Sequence, residues 1–269
     1  MASPVNQPQR STRLPLSVLI RTLNEADRIG KTLASVAPLG AEIVVIDAGS
    51  KDDTVKIAES FGAKVVYNPW PGYGLQRRFG EDQCSNDFIF SLDADEILTP
   101  AIVADITALF AQPNPPPLIN VRKALILPHW EKPPIWGYCH EYVLIYDRRV
   151  ARTVPNPNWD KIETALKVRP YTIPSPLLHF SFRDWHHMIG KGNHVAKLAA
   201  DTMPVRSRWL LALRLPFEFP VSFFKFYFVR RYCLAGLDGL TLAMVSAFGR
   251  YARIAMLLER ANEEARKRT

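Results

Sequence analysis

The chain has 269 residues, with 34 lysines and arginines against 26 aspartates and glutamates, a formal net charge of +8. That length holds one large domain or two small ones, and the basic balance favours an anionic partner such as a nucleotide or an acidic lipid headgroup. Three widely spaced cysteines, Cys84, Cys139 and Cys233, form no C-x-x-C pair, which argues against a disulfide framework and for a reducing compartment.

Met1 to Arg13 is polar and proline-bearing, with no apolar signal-peptide core, and is expected to be a disordered leader. No uninterrupted run of 18 uncharged apolar residues occurs, so no transmembrane helix is expected. Leu16–Ile20 is a buried-strand run, and Ala26–Val36 carries apolar residues at helical spacing. Glu42–Ile46 predicts a second strand, Asp53–Phe61 a second helix, Ala63–Tyr67 a third strand and Leu75–Gln83 a third helix. Asp87–Leu92 is the fourth strand and Pro100–Phe110 a fourth helix. Strands alternating with helices, apolar on both faces, imply an α/β fold with a mostly parallel sheet flanked by helices.

Ligands in such sheets bind at the carboxyl ends of the strands. Four segments therefore converge: Arg21 to Glu25, Asp47 to Ser50, Asn68 to Gly74, and Asp93 to Asp95. Asp93 and Asp95 suit a hard divalent cation and the phosphates it carries. A helix N-cap pair is the plainer alternative. Asp47 can accept from a base N–H with Gly49 allowing close backbone approach, or it can cap an Asx turn. Thr22, Asn24 and Glu25 meet a nucleoside or cap the first helix. Gln76 and Arg77 follow a glycine-bearing loop, from which an arginine can pair with diphosphate. His179 is a metal ligand, a phosphate contact or a hydrogen-bonded core histidine.

Pro113 to Pro117 ends the pattern. Ile119–Leu127 and Tyr142–Tyr146 then read as strands added to the sheet. An acceptor hydroxyl needs a general base, and Glu141, Asp147, Asp160 and Glu163 all qualify by residue type. From Arg206 to Arg260, aromatic clusters such as Phe223–Phe228 are punctuated by arginines. That pattern suits a helix lying in a membrane interface, with packing on the catalytic domain or on a second subunit as the alternative.

Residues Leu16 to Phe110 resemble the nucleotide-binding half of the family 2 glycosyltransferases of the GT-A fold. The resemblance rests on Ile20-Arg21-Thr22-Leu23-Asn24-Glu25, on Val44 to Thr54, and on Ser91-Leu92-Asp93-Ala94-Asp95-Glu96. Within that family, Asn68 to Arg77 and Leu177 to Arg183 resemble the lipopolysaccharide inner-core β-1,4-glucosyltransferase group. The resemblance implies a GT-A, Rossmann-like domain over residues 14–205, with a nucleotide-sugar-binding half (14–112) and an acceptor half (113–205). A basic helical tail would occupy 206–269. It further implies a nucleotide-diphosphosugar donor such as a UDP-hexose, Mg2+ or Mn2+ as cofactor, and inversion by a single displacement. Carried over, Asp47 meets uracil, Asp93 the ribose or sugar, and Asp95 the metal, with His179 as a further ligand. Thr22, Asn24, Glu25, Gly49, Gln76 and Arg77 complete the donor site. Members of the group often carry a His-Glu-Lys segment holding the base; here Trp159-Asp160-Lys161 stands in its place, which makes Asp160 the expected base. The expected partners are the donor, a lipid-linked or lipopolysaccharide-core glycan acceptor and an anionic membrane surface, with no nucleic acid. A homo-oligomer is the alternative use of the tail. The expected location is the cytoplasmic face of the inner membrane. Two other readings are a non-catalytic adaptor on the same fold and a nucleotidyltransferase. The segment after the first strand lacks the glycine-rich loop a nucleotidyltransferase would use, and no G-x-G-x-x-G supports a dinucleotide oxidoreductase.

Overall fold

A computed structural model of the chain describes residues 14–135, 137–204 and 207–267. The expected leader, residues 1–13, and Arg206 lie outside them. The alternation read from the sequence is present: β1 (Leu16–Thr22), α1 (Ile29–Val36), β2 (Glu42–Asp47), α2 (Thr54–Ser60), β3 (Lys64–Tyr67), α3 (Tyr73–Gln83), β4 (Phe88–Asp93), a short β5 (Glu96–Ile97) and α4 (Pro100–Phe110). Strands β1 to β4 are parallel in the order β3-β2-β1-β4. β6 (Leu118–Leu125) and β7 (Cys139–Asp147) extend the sheet, β7 running antiparallel to β4.

Local chemistry explains the helices. α1 buries Ile29, Thr32, Leu33 and Val36, one face at the helical period. α4 has Pro100 in its first turn, and the Thr99 hydroxyl accepts from the Ile102 N–H at 3.3 Å, the preferred chemistry for a helix start. It buries Ile102, Ile106, Leu109 and Phe110. Truncating one of these fully buried side chains to alanine costs about 2–5 kcal/mol. α3 differs: the residues it buries include Gln76, Arg77 and Glu81. Glu81 is fully buried, and its carboxylate accepts from the Tyr146 hydroxyl at 2.8 Å, the Thr153 N–H at 2.9 Å and Arg152 Nε at 2.8 Å. Burial, then the Glu81 charge, holds the Tyr146 phenol well above its ordinary pKa, so it stays a donor.

The described chain divides into two compact units. The first holds the chain up to Val121 together with Tyr142–Ser175, and the second Arg122–Glu141 with the chain from Pro176 onward. This differs from the expected boundary at 205/206. The reason is packing: α5 (Trp185–Thr202) contributes Ala200 to a cluster with Leu211 of α6 (Arg208–Phe224) and with Ile254, Leu257 and Ala261 of α7 (Gly236–Arg266). The segment before α5 thus belongs with the tail. In this second unit β11 (Leu177–His179) pairs with the end of β6. In the first, β10 (Tyr171–Thr172) pairs with the start of β6, and β8 (Ala151–Thr153) and β9 (Ile162–Thr164) form a separate antiparallel pair. The tail is helical as expected. One expectation is corrected: the segment Tyr232–Arg266 is long and apolar enough to cross a bilayer by length and composition. Asp238 interrupts its apolar run, and only the helix as a whole reveals the length.

Candidate active site

The parallel register brings the strand ends level. Thr22 faces Asp47 across β1 and β2, Asp47 faces Tyr67 on β3, and Arg21 faces Asp93 on β4. Three of the four strand exits thus carry a polar or charged group into one place.

Arg21 is the hinge of the site. Its side chain is only 10% exposed, and Nη2 contacts Asp93 Oδ1 at 2.6 Å and Asp160 Oδ2 at 3.0 Å, while Nη1 donates to the Tyr73 carbonyl at 3.2 Å. Burial opposes its charge, yet Asp93 and Asp160, with Glu96 behind them, hold the guanidinium pKa above its ordinary value. Arg77 grips Asp160 from the other side, Nη2 to Oδ2 at 2.9 Å. A second cluster adjoins on the same strand ends. Arg28 pairs with Glu25, and its Nη1 lies 3.5 Å from Asp95 Oδ2. Glu96, fully buried, accepts from the Asp93 N–H at 3.1 Å.

Asp160 reaches this place through a backbone contact. At Gly72, where φ is +124°, a Cβ would lie 2.4 Å from the Pro157 Cα. At Gly74 a Cβ would lie 2.3 Å from the Val154 carbonyl oxygen, 2.5 Å from that of Trp159 and 2.8 Å from that of Asn156. The Tyr73 and Gly74 N–H groups donate to Pro157 and Asn156 at 2.9 and 2.8 Å. Only glycine lets the two loops approach this closely. The glycine-bearing loop thus docks the segment carrying Asp160 onto the sheet. In the sequence it read as a loop leading to a diphosphate contact.

The remaining predicted residues divide by role. Asp47 is buried and its carboxylate accepts from the Gly49 and Ser50 N–H groups, each at 2.8 Å, and from the Ser50 hydroxyl. It therefore shapes the turn that sets Gly49 at φ +108°. Asn24, at φ +54°, exchanges hydrogen bonds with the same turn: its N–H donates to Ser50 Oγ and its Oδ1 accepts from the Lys51 N–H, both at 2.8 Å. The Glu25 N–H donates to Thr54 Oγ1 at 2.8 Å, and buried Thr22 accepts the Ala48 N–H on its carbonyl. Gln76 is fully buried, its amide paired reciprocally with Asn68 at 2.7 and 3.1 Å. It ties the start of α3 to the loop that follows β3. Arg77 meets the Asp160 carboxylate, and Arg78 donates to the Thr153 carbonyl. His179 lies on β11 in the second unit, where its carbonyl accepts from the Ile126 N–H. Of the four candidate bases, Asp147 is buried under Arg149 and Glu163 lies 4.0 Å from exposed Lys161. Glu141 is exposed and falls in the second unit. Asp160 is the one that joins the Arg21 cluster. The weight of Arg21 was not legible in the sequence, where it stood as one more residue at a strand exit, and no local signal singled out Arg28.

The donor set fits a divalent cation. Among the described residues no three His, Cys, Asp or Glu side chains gather as a complete metal cage. The two ion-pair clusters nonetheless set five carboxylates (Glu25, Asp93, Asp95, Glu96 and Asp160) against three guanidiniums (Arg21, Arg28 and Arg77). The carboxylate oxygens are the hard donors that Mg2+ and Mn2+ prefer. Such an ion needs only one or two protein carboxylates when phosphates and water complete its shell.

Strand-end carboxylates interleaved with guanidiniums lie at the carboxyl ends of a parallel α/β sheet, where folds of this class bind their ligands. Residues 17–116 match the family described as glycosyl transferase family 2. An uncharacterized glycosyltransferase of Rickettsia felis is 32% identical over 253 residues, covering 91% of this chain and 89% of that protein. The lipopolysaccharide core biosynthesis glycosyltransferase LpsC of Rhizobium meliloti is 29% identical over 268 residues, covering 94% and 96%. A solved structure of glucosyl-3-phosphoglycerate synthase from Mycobacterium tuberculosis, with Mn2+, UDP and glucosyl-3-phosphoglycerate, is 27% identical over 41% of this chain and 44% of that one, at a TM-score of 0.35. The chain belongs to the family 2 glycosyltransferases.

Proposed function

We propose that the protein is an inverting glycosyltransferase. It moves a hexose from a UDP-type nucleotide sugar to a hydroxyl of a lipid-linked or lipopolysaccharide-core glycan. The observation that carries this reading is the Arg21 bridge, which joins a strand-end carboxylate of the donor side, Asp93, to a loop carboxylate, Asp160, in one ion-paired cluster. The acceptor class is supported by the likeness to LpsC along nearly the whole chain.

In this reading Asp93 binds the ribose or sugar hydroxyls of the donor, and Asp95 holds the cation. When bound, the cation neutralises charge that builds on the departing diphosphate. The acceptor oxygen attacks the anomeric carbon from the face opposite the diphosphate. Its bond to that carbon forms as the carbon–phosphate-oxygen bond breaks. The electron pair leaves with the diphosphate, and the acceptor proton passes to the Asp160 carboxylate. Arg21 and Arg77 hold that carboxylate in place before the acceptor arrives. Guanidiniums at the cluster also add positive charge near the leaving group.

The test is a screen of nucleotide sugars that reads nucleoside diphosphate release with and without acceptor extract, in Mg2+ or Mn2+. Acceptor-dependent release that disappears in Asp95→Ala is the expected result. Undiminished turnover in Asp95→Ala would remove the cation from Asp95.

A further inference from the structure

The second unit carries a helix with an apolar stripe on its exposed face. Along α6 and the π-helical turn that follows it (Lys225–Val229), Leu210, Leu213, Phe217, Val221, Phe224 and Phe228 are all exposed, between 52% and 69%. They recur every three or four residues and so form one stripe, about 27 Å long at 1.5 Å per residue. The packed face holds Leu211 together with two polar groups, Glu218 and Ser222. Glu218, 5% exposed, accepts from Arg214 Nε at 2.7 Å and Arg250 Nε at 3.1 Å, and Ser222 Oγ donates to it at 3.4 Å. A helix solvated by water shows the opposite arrangement.

Charge decides what covers the stripe. Between Arg208 and Arg231 the single acidic residue is the buried Glu218. Cations stand at both ends: Arg208, 4.9 Å from the Trp209 ring, at one, and Lys225, Arg230 and Arg231 at the other. Arg230 stacks between Phe226 and Tyr138, at 4.9 and 5.2 Å. A second copy of the chain laid on the stripe, parallel or antiparallel, would bring cationic ends against cationic ends. An anionic lipid surface neutralises both ends while its acyl region takes the stripe.

We propose that this face seats α6 in the plane of an anionic bilayer, with the aromatic and aliphatic stripe in the acyl boundary and the flanking arginines at the headgroups. The proposal goes beyond the transfer reaction and is independent of it, since donor chemistry resides in the first unit.

The experiment is co-sedimentation of the full chain with phosphatidylcholine vesicles, with and without phosphatidylglycerol, compared with Phe217→Ser/Phe224→Ser and with Arg230→Glu/Arg231→Glu. Circular dichroism checks that the variants keep their helices. The wild type should pellet with phosphatidylglycerol vesicles and less well with phosphatidylcholine alone. The serine pair should lower partitioning about tenfold or more, and the charge reversal should also weaken it. Wild-type protein left in the supernatant would overturn the proposal, as would equal pelleting of both variants. So would a dimer by light scattering that the serine pair converts to monomer while vesicles bind neither form. UDP-sugar turnover in solution, measured on the same variants, separates failure of this face from failure of the transferase reading.

Discussion

Gly74→Ala places a methyl group where none fits. The new carbon would lie 2.3 Å from the Val154 carbonyl oxygen and 2.5 Å from that of Trp159. Backbone oxygens cannot swing aside as a side-chain tip can. Restoring ordinary contact requires the 154–160 segment to lift from α3 by roughly an ångström. Asp160 rides on that segment, at 2.9 to 3.0 Å from its two arginines. Displacing a reacting group by about 1 Å costs about a hundredfold in rate, or about 2.7 kcal/mol at the barrier. Overpacking adds a stability loss of about 1–3 kcal/mol. Asp93 and Asp95 follow β4 and stay where they are, so donor affinity should change little. The assay is steady-state transfer beside calorimetric donor binding and a thermal melt. Gly190→Ala is the control: its Cβ meets nothing within 4 Å, and it lies inside α5, so it should stabilise slightly with unchanged turnover. Full activity in Gly74→Ala would refute the claim that backbone contact at this glycine sets Asp160. So would loss of donor binding with transfer from bound donor intact.

Three further outcomes are expected. Asp160→Asn should bind donor normally and transfer about 100-fold or more slowly, as loss of a general base predicts; a wild-type single-turnover rate would exclude that role. Arg21→Met should lower stability by about 1–2 kcal/mol in urea, since it leaves Asp93 and Asp160 facing without their bridge but still partly solvated, and Arg21→Lys should not restore activity, because one ammonium lacks the guanidinium fork. His140 gives the pH dependence. Burial, then Arg230, His179 and Lys123, lowers its pKa to about 4 from an ordinary 6.5. The folded state therefore prefers the neutral ring, and the associated stability is present above pH 6.5 and lost as pH falls toward 4. Melts at pH 7 and 4.5 should show a wild-type loss of about 1–2 kcal/mol, after solvent screening, that His140→Gln reduces.

The neighbours of Asp160 show where sequence reading stops. Asp93-Ala94-Asp95 was legible because β4 announces its own end: an apolar run stops and carboxylates begin. The Asp47 turn was legible for the same reason, as was the start of α4 at Thr99-Pro100. Asp160 sits in a segment with no periodicity, and residue type alone set it level with Glu141, Asp147 and Glu163. What singles it out is Arg21 at 3.0 Å and Arg77 at 2.9 Å, contacts that span 139 and 83 positions of chain. Gln76 and Arg77 were assigned to a ligand because polar residues after a glycine loop usually face solvent or a site. In the structure they meet Asn68 and Asp160, contacts that the local sequence did not announce.

The sequence by itself determined the alternation of strands and helices, the strand-end location of Asp93 and Asp95 and the basic, aromatic character of the tail. Each of these follows from local order, through apolar period, capping chemistry and charge. The tertiary structure decided which carboxylate joins Arg21, why Gly72 and Gly74 must be glycine, and that α6 buries Glu218 while exposing Phe217, Phe224 and its aliphatic neighbours. Those depend on long-range packing, where a residue's role is set by what lies against it in space.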